Sequence, residues 1–150
     1  MTTNNKEVIV QKLNVLLASY EVHYQNLRAL HWNIKGEFFF ELHEKYEELY
    51  THAQEIIDNL AERVLTYEKK PLHKFSDYIK TSVVKENDYI SDGATGVQYV
   101  VDAQKALLKL EREIFSISSD ENDEGTSSFM SDLIREKEKS VWMFNAWLSK

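Results

Sequence analysis

Residues 29–50, ALHWNIKGEFFFELHEKYEELY, carry one glycine between two stretches of helical character. Gly36 follows Lys35, and a glycine directly after a basic residue is typical of the end of an α-helix. On both sides, apolar residues recur at steps of three and four, which is the period of an amphipathic helix. The pattern predicts a first helix over residues 5–34 and a second over residues 38–67. The apolar positions are Val8, Leu13, Leu16, Leu17, Tyr20, Tyr24, Leu27 and Leu30, then Leu42, Tyr46, Leu49, Ile56, Leu60 and Val64.

The remaining sequence shows two more helical patterns, over residues 93–118 and 127–148. Pro71 closes the second helical region, and the polar stretch around it predicts a long connection with one short helical turn at residues 76–80. The run SISSDENDEGTSS at residues 116–128 is rich in short polar and acidic residues and contains a glycine. We therefore predict a loop there.

Four long helices with a long second connection indicate one particular all-α architecture. No stretch alternates apolar and polar residues over more than a few positions, as a half-buried β-strand would. A simple up-and-down bundle has short loops, whereas the segment 68–92 is too long for one. The sequence predicts a ferritin-like four-helix bundle, with a long crossover carrying a short extra helix between helices 2 and 3. Its length fits one domain over residues 1–150.

The composition excludes several classes of function. The chain has no Cys, so disulfides and thiol catalysis are excluded, and a metal would bind to His, carboxylate or water, which suits iron, manganese or zinc. The 25 acidic residues outnumber the 18 basic ones, and the resulting net charge of −7 disfavours a nucleic-acid surface. No signal peptide and no run of ~18 apolar residues is present, so we expect a cytoplasmic protein without membrane spans.

One face of the second predicted helix collects potential metal ligands. His43 and Glu47 are four residues apart, as are Asp58 and Glu62, and all four fall within a sector of about 100°. His43 and Asp58 are nevertheless roughly 22 Å apart along the helix axis, at 1.5 Å per residue. One ion cannot contact both on the same helix, so the face holds two separate half-sites.

A second copy of the chain would complete both half-sites. If two copies pack antiparallel about a twofold axis, the His43 end of one meets the Asp58 end of the other, and such isologous contacts are the commonest in homo-oligomers. Chain reversal at Gly36 would place His31 beside His43. We expect one half-site of His31 and His43, which Glu47 could join, and another of Asp58 and Glu62.

Other interpretations stay open from the spacing alone. A face with one His and three acids is also expected of a solvated helix. The segment HEKYE at residues 43–47 resembles the HExxH motif of zinc proteases but lacks its second His, which disfavours a protease. No His follows a Glu by three residues, which disfavours a di-iron site inside the bundle. We expect His23, His52 and His73 to be structural or solvated.

Residues 29–50, followed by IIDNLAERV at 56–64, resemble the Dps-type mini-ferritins (DNA-protection-during-starvation proteins). The shared pattern is His-Trp, a Gly-x-x-Phe turn, Leu-His and Asp-x-x-Ala-Glu-Arg. WMFNAWL at residues 142–148 is also similar to the family's last helix. The resemblance implies a cytoplasmic shell of twelve subunits, each of them a four-helix bundle.

By the same resemblance, each ferroxidase centre lies at a twofold subunit interface and holds one or two iron ions. The implied metal ligands are His31, His43 and Glu47 of one subunit, with Asp58 and Glu62 of its neighbour. The family usually has Asp where this chain has Glu47. The other four ligands, His31, His43, Asp58 and Glu62, are also the implied catalytic residues.

The activity implied by the resemblance is oxidation of ferrous iron by hydrogen peroxide or oxygen. Ferric oxide is then stored inside the shell, which protects against oxidative stress. Trp32, next to His31, either intercepts an escaping oxidising equivalent or packs at the interface. Acidic residues near the start of the last helix line threefold pores in the family, and the candidates here are Asp120, Asp123 and Glu124.

DNA binding is a family trait that we do not expect in this chain. Where it occurs it commonly depends on Lys/Arg-rich tails, and here the first ten residues contain only Lys6 and the end only Lys150. An acidic shell would repel phosphate. The main alternative function is a structural or nucleoid-associated shell protein with a degenerate metal site. A monomeric bundle that binds a small molecule is a third hypothesis.

Overall fold

The computed structural model describes residues 3–150, and within that range the chain forms five α-helices and no β-strand. Four of them are long and the third is short, so the predicted all-α class and the short extra helix are confirmed. Among the helices of this range, none combines the length and apolar character that a membrane crossing requires. The helices are α1 (Thr3–Asn33), α2 (Phe39–Thr66), α3 (Phe75–Thr81), α4 (Gly93–Asp120) and α5 (Glu124–Trp147).

The four long helices enclose one apolar core. α1 packs against α2 and against α4, and α4 packs against α5. The predicted apolar stripes face inward, because their burial removes apolar surface from water. The fully buried side chains include Leu13, Leu16, Leu27, Tyr46, Leu60, Val64, Leu107, Ile114 and Met130.

The crossover of residues 67–92 lies along α1 and is attached to it by polar side chains. The short helix α3 packs on α1. The Ser19 hydroxyl accepts a hydrogen bond from the backbone N–H of Val83 at 3.0 Å, and the Asn26 amide donates to the carbonyl of Lys85 at 2.8 Å. Because irregular backbone must still satisfy its polar groups, these side chains fix the path of the crossover.

The loop predicted at residues 116–128 is wrong for most of its length. α4 continues to Asp120 and α5 already begins at Glu124, so the turn consists of residues 121–123. The serines of the segment fit the helix, since the buried Ser118 hydroxyl donates to the carbonyl of Ile114 at 2.7 Å. Asn122 has a positive φ of 58°, the left-handed conformation that lets the chain leave one helix and begin the next.

Asp123 caps α5 and anchors the turn to the end of α2. Its carboxylate accepts a hydrogen bond from the backbone N–H of Thr126 at 3.4 Å, and it forms an ion pair of 2.9 Å with Arg63. The Tyr67 hydroxyl also donates to it. Gly125 leaves room for this arrangement, because a Cβ there would lie 2.8 Å from the Arg63 guanidinium nitrogens. Only 7% of the Asp123 side chain is exposed as a result.

Gly96 lets α4 pack closely against Tyr46 of α2 and Leu30 of α1. A Cβ at this position would lie 2.6 Å from the hydroxyl of Tyr46 and 3.3 Å from a methyl group of Leu30. Tyr46 is fully buried, so its ring has little room to move aside.

We expect Gly96→Ala to lower the free energy of unfolding by about 1–3 kcal/mol, the usual effect of overpacking a core. Urea unfolding followed by circular dichroism measures it. Ala94→Ser, at an exposed position of the same helix, should change stability by less than about 0.5 kcal/mol.

We also predict that Asp123→Ala destabilises the chain by about 2 kcal/mol, because it removes a helix cap and leaves Arg63 without its carboxylate. The matched control is Asp120→Ala. Asp120 is exposed at the last position of α4, where a negative charge faces the negative end of the helix dipole. Its removal should be neutral or slightly stabilising. Thermal unfolding of both variants tests this, and equal melting temperatures would contradict the role given to Asp123.

Candidate metal centre

The turn between α1 and α2 brings two histidines together. Gly36 has a φ of 102°, which reverses the chain between the helices, and the backbone N–H of Lys35 donates to the carbonyl of Ser91 at 2.9 Å. The rings of His31 and His43 consequently stack, with their centroids 3.7 Å apart and their planes at 13°. The proximity expected for this pair is therefore present within one chain.

Each of these histidines is hydrogen-bonded to the backbone of the other. The Nδ1 atom of His31 lies 2.6 Å from the carbonyl oxygen of His43, and the Nδ1 atom of His43 lies 2.7 Å from the carbonyl oxygen of His31. A carbonyl oxygen only accepts, so both Nδ1 atoms must carry the hydrogen. In the neutral imidazoles this leaves the lone pair on Nε2. Metal-binding histidines are typically oriented in this way, by donating their second N–H to a carbonyl or carboxylate.

Glu47 brings a carboxylate to the same place. Its Oε1 atom lies 3.6 Å from the Nε2 atom of His31, a separation that two ligands can span when each is about 2.1 Å from one ion. The His31 side chain is 9% exposed and the Glu47 side chain 58%, so the imidazole is buried while the carboxylate is open to solvent. Tyr50 packs edge-on against the His31 ring at 5.3 Å and Phe39 stacks on His43 at 4.9 Å. These contacts hold both imidazoles in position.

Asp58 and Glu62 do not join this group. Both are exposed on the same side of α2, but Asp58 is separated from His43 by roughly 22 Å of helix. Over residues 3–150, no three His, Asp or Glu side chains are arranged to hold a metal ion by themselves. The chain thus assembles His31, His43 and Glu47 at one end of an exposed polar stripe and leaves two carboxylates at the other.

The remaining predicted residues have varied surroundings. Trp32 is 57% exposed, and the guanidinium of Arg28 lies 4.8 Å from the centroid of its ring. Of the three pore candidates, Asp120 and Glu124 are exposed on either side of the α4–α5 turn, whereas Asp123 is engaged by Arg63 as described above. Of the three candidates, Asp120 and Glu124 are therefore the two with exposed side chains.

The other histidines lie outside the candidate centre. His23 is buried, and its Nδ1 atom is 2.8 Å from the hydroxyl of Tyr99. Its burial, with a smaller contribution from the charge of Lys137, lowers the pKa of His23 to about 3, so it is neutral. His52 pairs with Glu136 at 2.8 Å, and His73 is exposed in the crossover.

Sequence reasoning missed the aromatic support of the centre and the role of Arg63. Tyr50 follows His43 by seven residues, which is two helical turns, so the spacing alone could have placed it on the same side as the histidine. In the sequence, Arg63 is the residue that follows Glu62, and nothing near it indicates a structural role. Its partner Asp123 is 60 residues away in sequence, and no local signal connects them.

Comparison with known proteins agrees with this fold and with the arrangement of α1 and α2. Residues 10–150 match the family model of the ferritin-like domain. The DNA protection during starvation protein of Porphyromonas gingivalis is 39% identical over 142 residues, which cover 95% of this chain and 89% of that protein.

Two solved structures are similar over almost the whole chain. The Dps protein of Vibrio cholerae O1, described as a member of a broad superfamily of ferritin-like diiron-carboxylate proteins, superposes with a TM-score of 0.96 at 49% identity. The match covers 99% of this chain and 93% of that one. For the Dps protein of Bacillus brevis the TM-score is 0.94 at 34% identity, with 99% of each chain covered. The fold, the sequence matches and the shared Dps architecture together show that this chain belongs to the Dps family of ferritin-like proteins.

Proposed function

We propose that the chain is a ferroxidase and iron-storage subunit. It would oxidise ferrous iron with hydrogen peroxide or oxygen and store ferric oxide inside a hollow homo-oligomeric shell, of twelve copies by the family resemblance. Family membership supports iron storage and protection against oxidative stress as the general role. The observation that carries the specific proposal is the crossed pair His31–His43, whose two Nε2 lone pairs are free for a metal beside the carboxylate of Glu47.

The proposed centre combines ligands of two subunits. His31, His43 and Glu47 of one chain would face Asp58 and Glu62 of the partner subunit, which gives two equal sites for each twofold dimer. Two imidazoles with two or three carboxylates match the ligands that ferrous iron accepts. The exposure of the stripe on α2 supports this arrangement, because residues 3–150 supply no second group of ligands at its acidic end.

Each group has a defined task in the proposed reaction. The neutral imidazoles donate lone pairs to ferrous iron, and their orientation is already fixed before iron binds. The carboxylates offset the charge that increases when Fe²⁺ becomes Fe³⁺. Two ferrous ions give up one electron each, which together reduce one hydrogen peroxide to the oxidation level of water. Hydrolysis of the ferric ions to the oxide then releases protons to the solvent.

Iron must also reach the interior of the proposed shell. Asp120 and Glu124 are the exposed acids of the α4–α5 turn, and a ring of such carboxylates around a symmetry axis would attract cations. We propose that these two contribute to the pore. Asp123 would instead shape the turn through its contact with Arg63. Trp32, exposed beside the centre, remains a proposed acceptor of stray oxidising equivalents.

The shared-site proposal predicts recovery of activity by mixing two inactive variants. His31→Ala and Asp58→Ala should each oxidise ferrous iron at least about tenfold more slowly than the wild type, because each removes a ligand from every site. After the subunits are exchanged at equal amounts, about half of the dimers are mixed. Each mixed dimer has one intact site of its two, so about a quarter of the wild-type rate should return. Stopped-flow absorbance of ferric iron gives the rates.

His73→Ala is the control for that experiment, since His73 is exposed in the crossover and should leave the rate unchanged. If either single variant oxidises iron at the wild-type rate, the assignment of the ligands is wrong. If mixing restores nothing although mass spectrometry shows exchanged subunits, the ligands do not come from two chains.

A second prediction concerns DNA. At a net charge of −7 per chain, an assembled shell should not retard duplex DNA in a gel at low salt with a chelator present. Adding magnesium tests for bridging by cations. Retardation without any divalent ion would favour the alternative, a nucleoid-associated shell protein.

A further inference from the structure

A buried ion pair lies in the middle of the four-helix bundle. Glu111 of α4 is fully buried, and one of its carboxylate oxygens lies 3.1 Å from the ammonium nitrogen of Lys137 of α5. The hydroxyl of Tyr20 of α1 donates to the same oxygen at 2.7 Å. Lys137 is itself only 4% exposed. A charged Lys and a charged Glu at this depth are rare unless they are paired, so each stabilises the charge of the other.

A second carboxylate approaches the same ammonium group. Oε1 of Glu136 is 3.9 Å from Nζ of Lys137 and 2.8 Å from the imidazole of His52, which belongs to α2. Side chains of α1, α4 and α5 therefore surround one cation, and His52 of α2 is linked to it through Glu136. Two carboxylates, a phenol and an imidazole form this group, which we call the central cage: Tyr20, His52, Glu111 and Glu136.

Three members of the central cage, Tyr20, His52 and Glu136, line a cavity of 140 Å³ between the helices. Its polar lining includes His23, Gln104 and Lys137 besides His52 and Glu136. His52 and Glu136 are 51% and 40% exposed, so the cavity is in reach of solvent at that side. Lys137 therefore lies at the wall of a cavity that solvent reaches, rather than behind a closed apolar core.

Two buried acceptor atoms in this region have no hydrogen-bond partner. The second carboxylate oxygen of Glu111 is one, and the side-chain carbonyl of Gln104 is the other. Burial raises the pKa of Glu111, and the charge and hydrogen bonds of Lys137 and Tyr20 act against that shift. An unpartnered, buried carboxylate oxygen is a strong attractor for a cation. The site is thus rich in acceptors and holds a single internal cation.

Carboxylates and imidazoles on facing helices can hold metal ions inside helix bundles, but among the described residues no three His, Asp or Glu side chains are arranged to do so. Here the positive charge is supplied by the chain itself. We propose that the ammonium group of Lys137 takes the place of a metal ion among these side chains and so excludes divalent metal ions from the centre of the bundle. Where the excluded ion is iron, this inference rests on the proposed function. The ammonium group of Lys137 then restricts iron to the exposed stripe of α2.

The test is to remove the ammonium group and count bound metal. Lys137→Ala leaves the carboxylates of Glu111 and Glu136 without their cation and enlarges the cavity beside them. We expect equilibrium dialysis to show one additional Co²⁺ bound per subunit of this variant. The bound Co²⁺ should also give the visible absorption that is typical of Co²⁺ in a protein site. The measurement uses proteins that all carry His31→Ala, so that it does not depend on whether the proposed interface centre oxidises iron.

Two further variants distinguish a site from general charge effects. Lys139→Ala removes an exposed positive charge on the same helix and should bind no additional Co²⁺. Adding Glu111→Gln to Lys137→Ala should abolish the extra equivalent, because it removes the buried ligand. If folded Lys137→Ala binds no more Co²⁺ than its parent, or if Glu111→Gln leaves the extra ion in place, the proposal is wrong.

Lys137→Ala leaves a buried carboxylate unpaired, and a failure of this variant to fold alone calls for a second measurement. In that case the variant is refolded with Co²⁺, with Mg²⁺ or with chelator, and helix content is measured by circular dichroism. Recovery with Co²⁺ alone, and its loss when Glu111→Gln is added, supports the proposal. Equal failure to fold under all three conditions overturns it, because a metal would then be unable to replace the ammonium group.

Discussion

The crossed hydrogen bonds between His31 and His43 are the contact on which the proposed chemistry of this chain depends. Each ring nitrogen binds the carbonyl oxygen of the other residue, so the two bonds join the end of α1 to the start of α2. The same bonds fix the tautomer of both rings and leave Nε2 available. The positive φ of Gly36 makes this meeting possible, because the two helices can reverse direction within a short turn.

The length of α2, a continuous helix over Phe39–Thr66, then imposes a second constraint. Its apolar side is committed to the core through residues such as Leu60 and Val64, so the opposite stripe cannot turn inward. His43 and Asp58 are held on that stripe at a separation of roughly 22 Å. Bending the helix to bring them together would break its packing. A partner chain is the arrangement that satisfies both ends without disturbing the bundle, which is why we propose a shared centre.

Much of this could be predicted from the sequence, because long amphipathic patterns and one decisive glycine are local signals. The meeting of His31 with His43 also followed from the chain reversal at Gly36. The turn at residues 121–123 could not be located from the sequence. Serines and acidic residues are typical of loops, and the local pattern does not show when they lie inside a helix instead. What limits the turn is the contact of Asp123 with Arg63, which is distant in sequence. The pairing of Lys137 with Glu111 was hidden for a similar reason, because both residue types usually face solvent.

The carboxylate of Glu111 and those of Asp58 and Glu62 stand in opposite electrostatic situations. Glu111 is buried and has its own ammonium group, which offsets the desolvation of its charge. Asp58 and Glu62 lie on the surface, and in the part of the chain that the structure describes neither forms an ion pair with a basic side chain. Acids that keep their hydration and have no internal counter-ion remain available to an incoming metal. An acid that is already neutralised in the core is not, so under the proposed function the position of Lys137 helps to decide where iron is held.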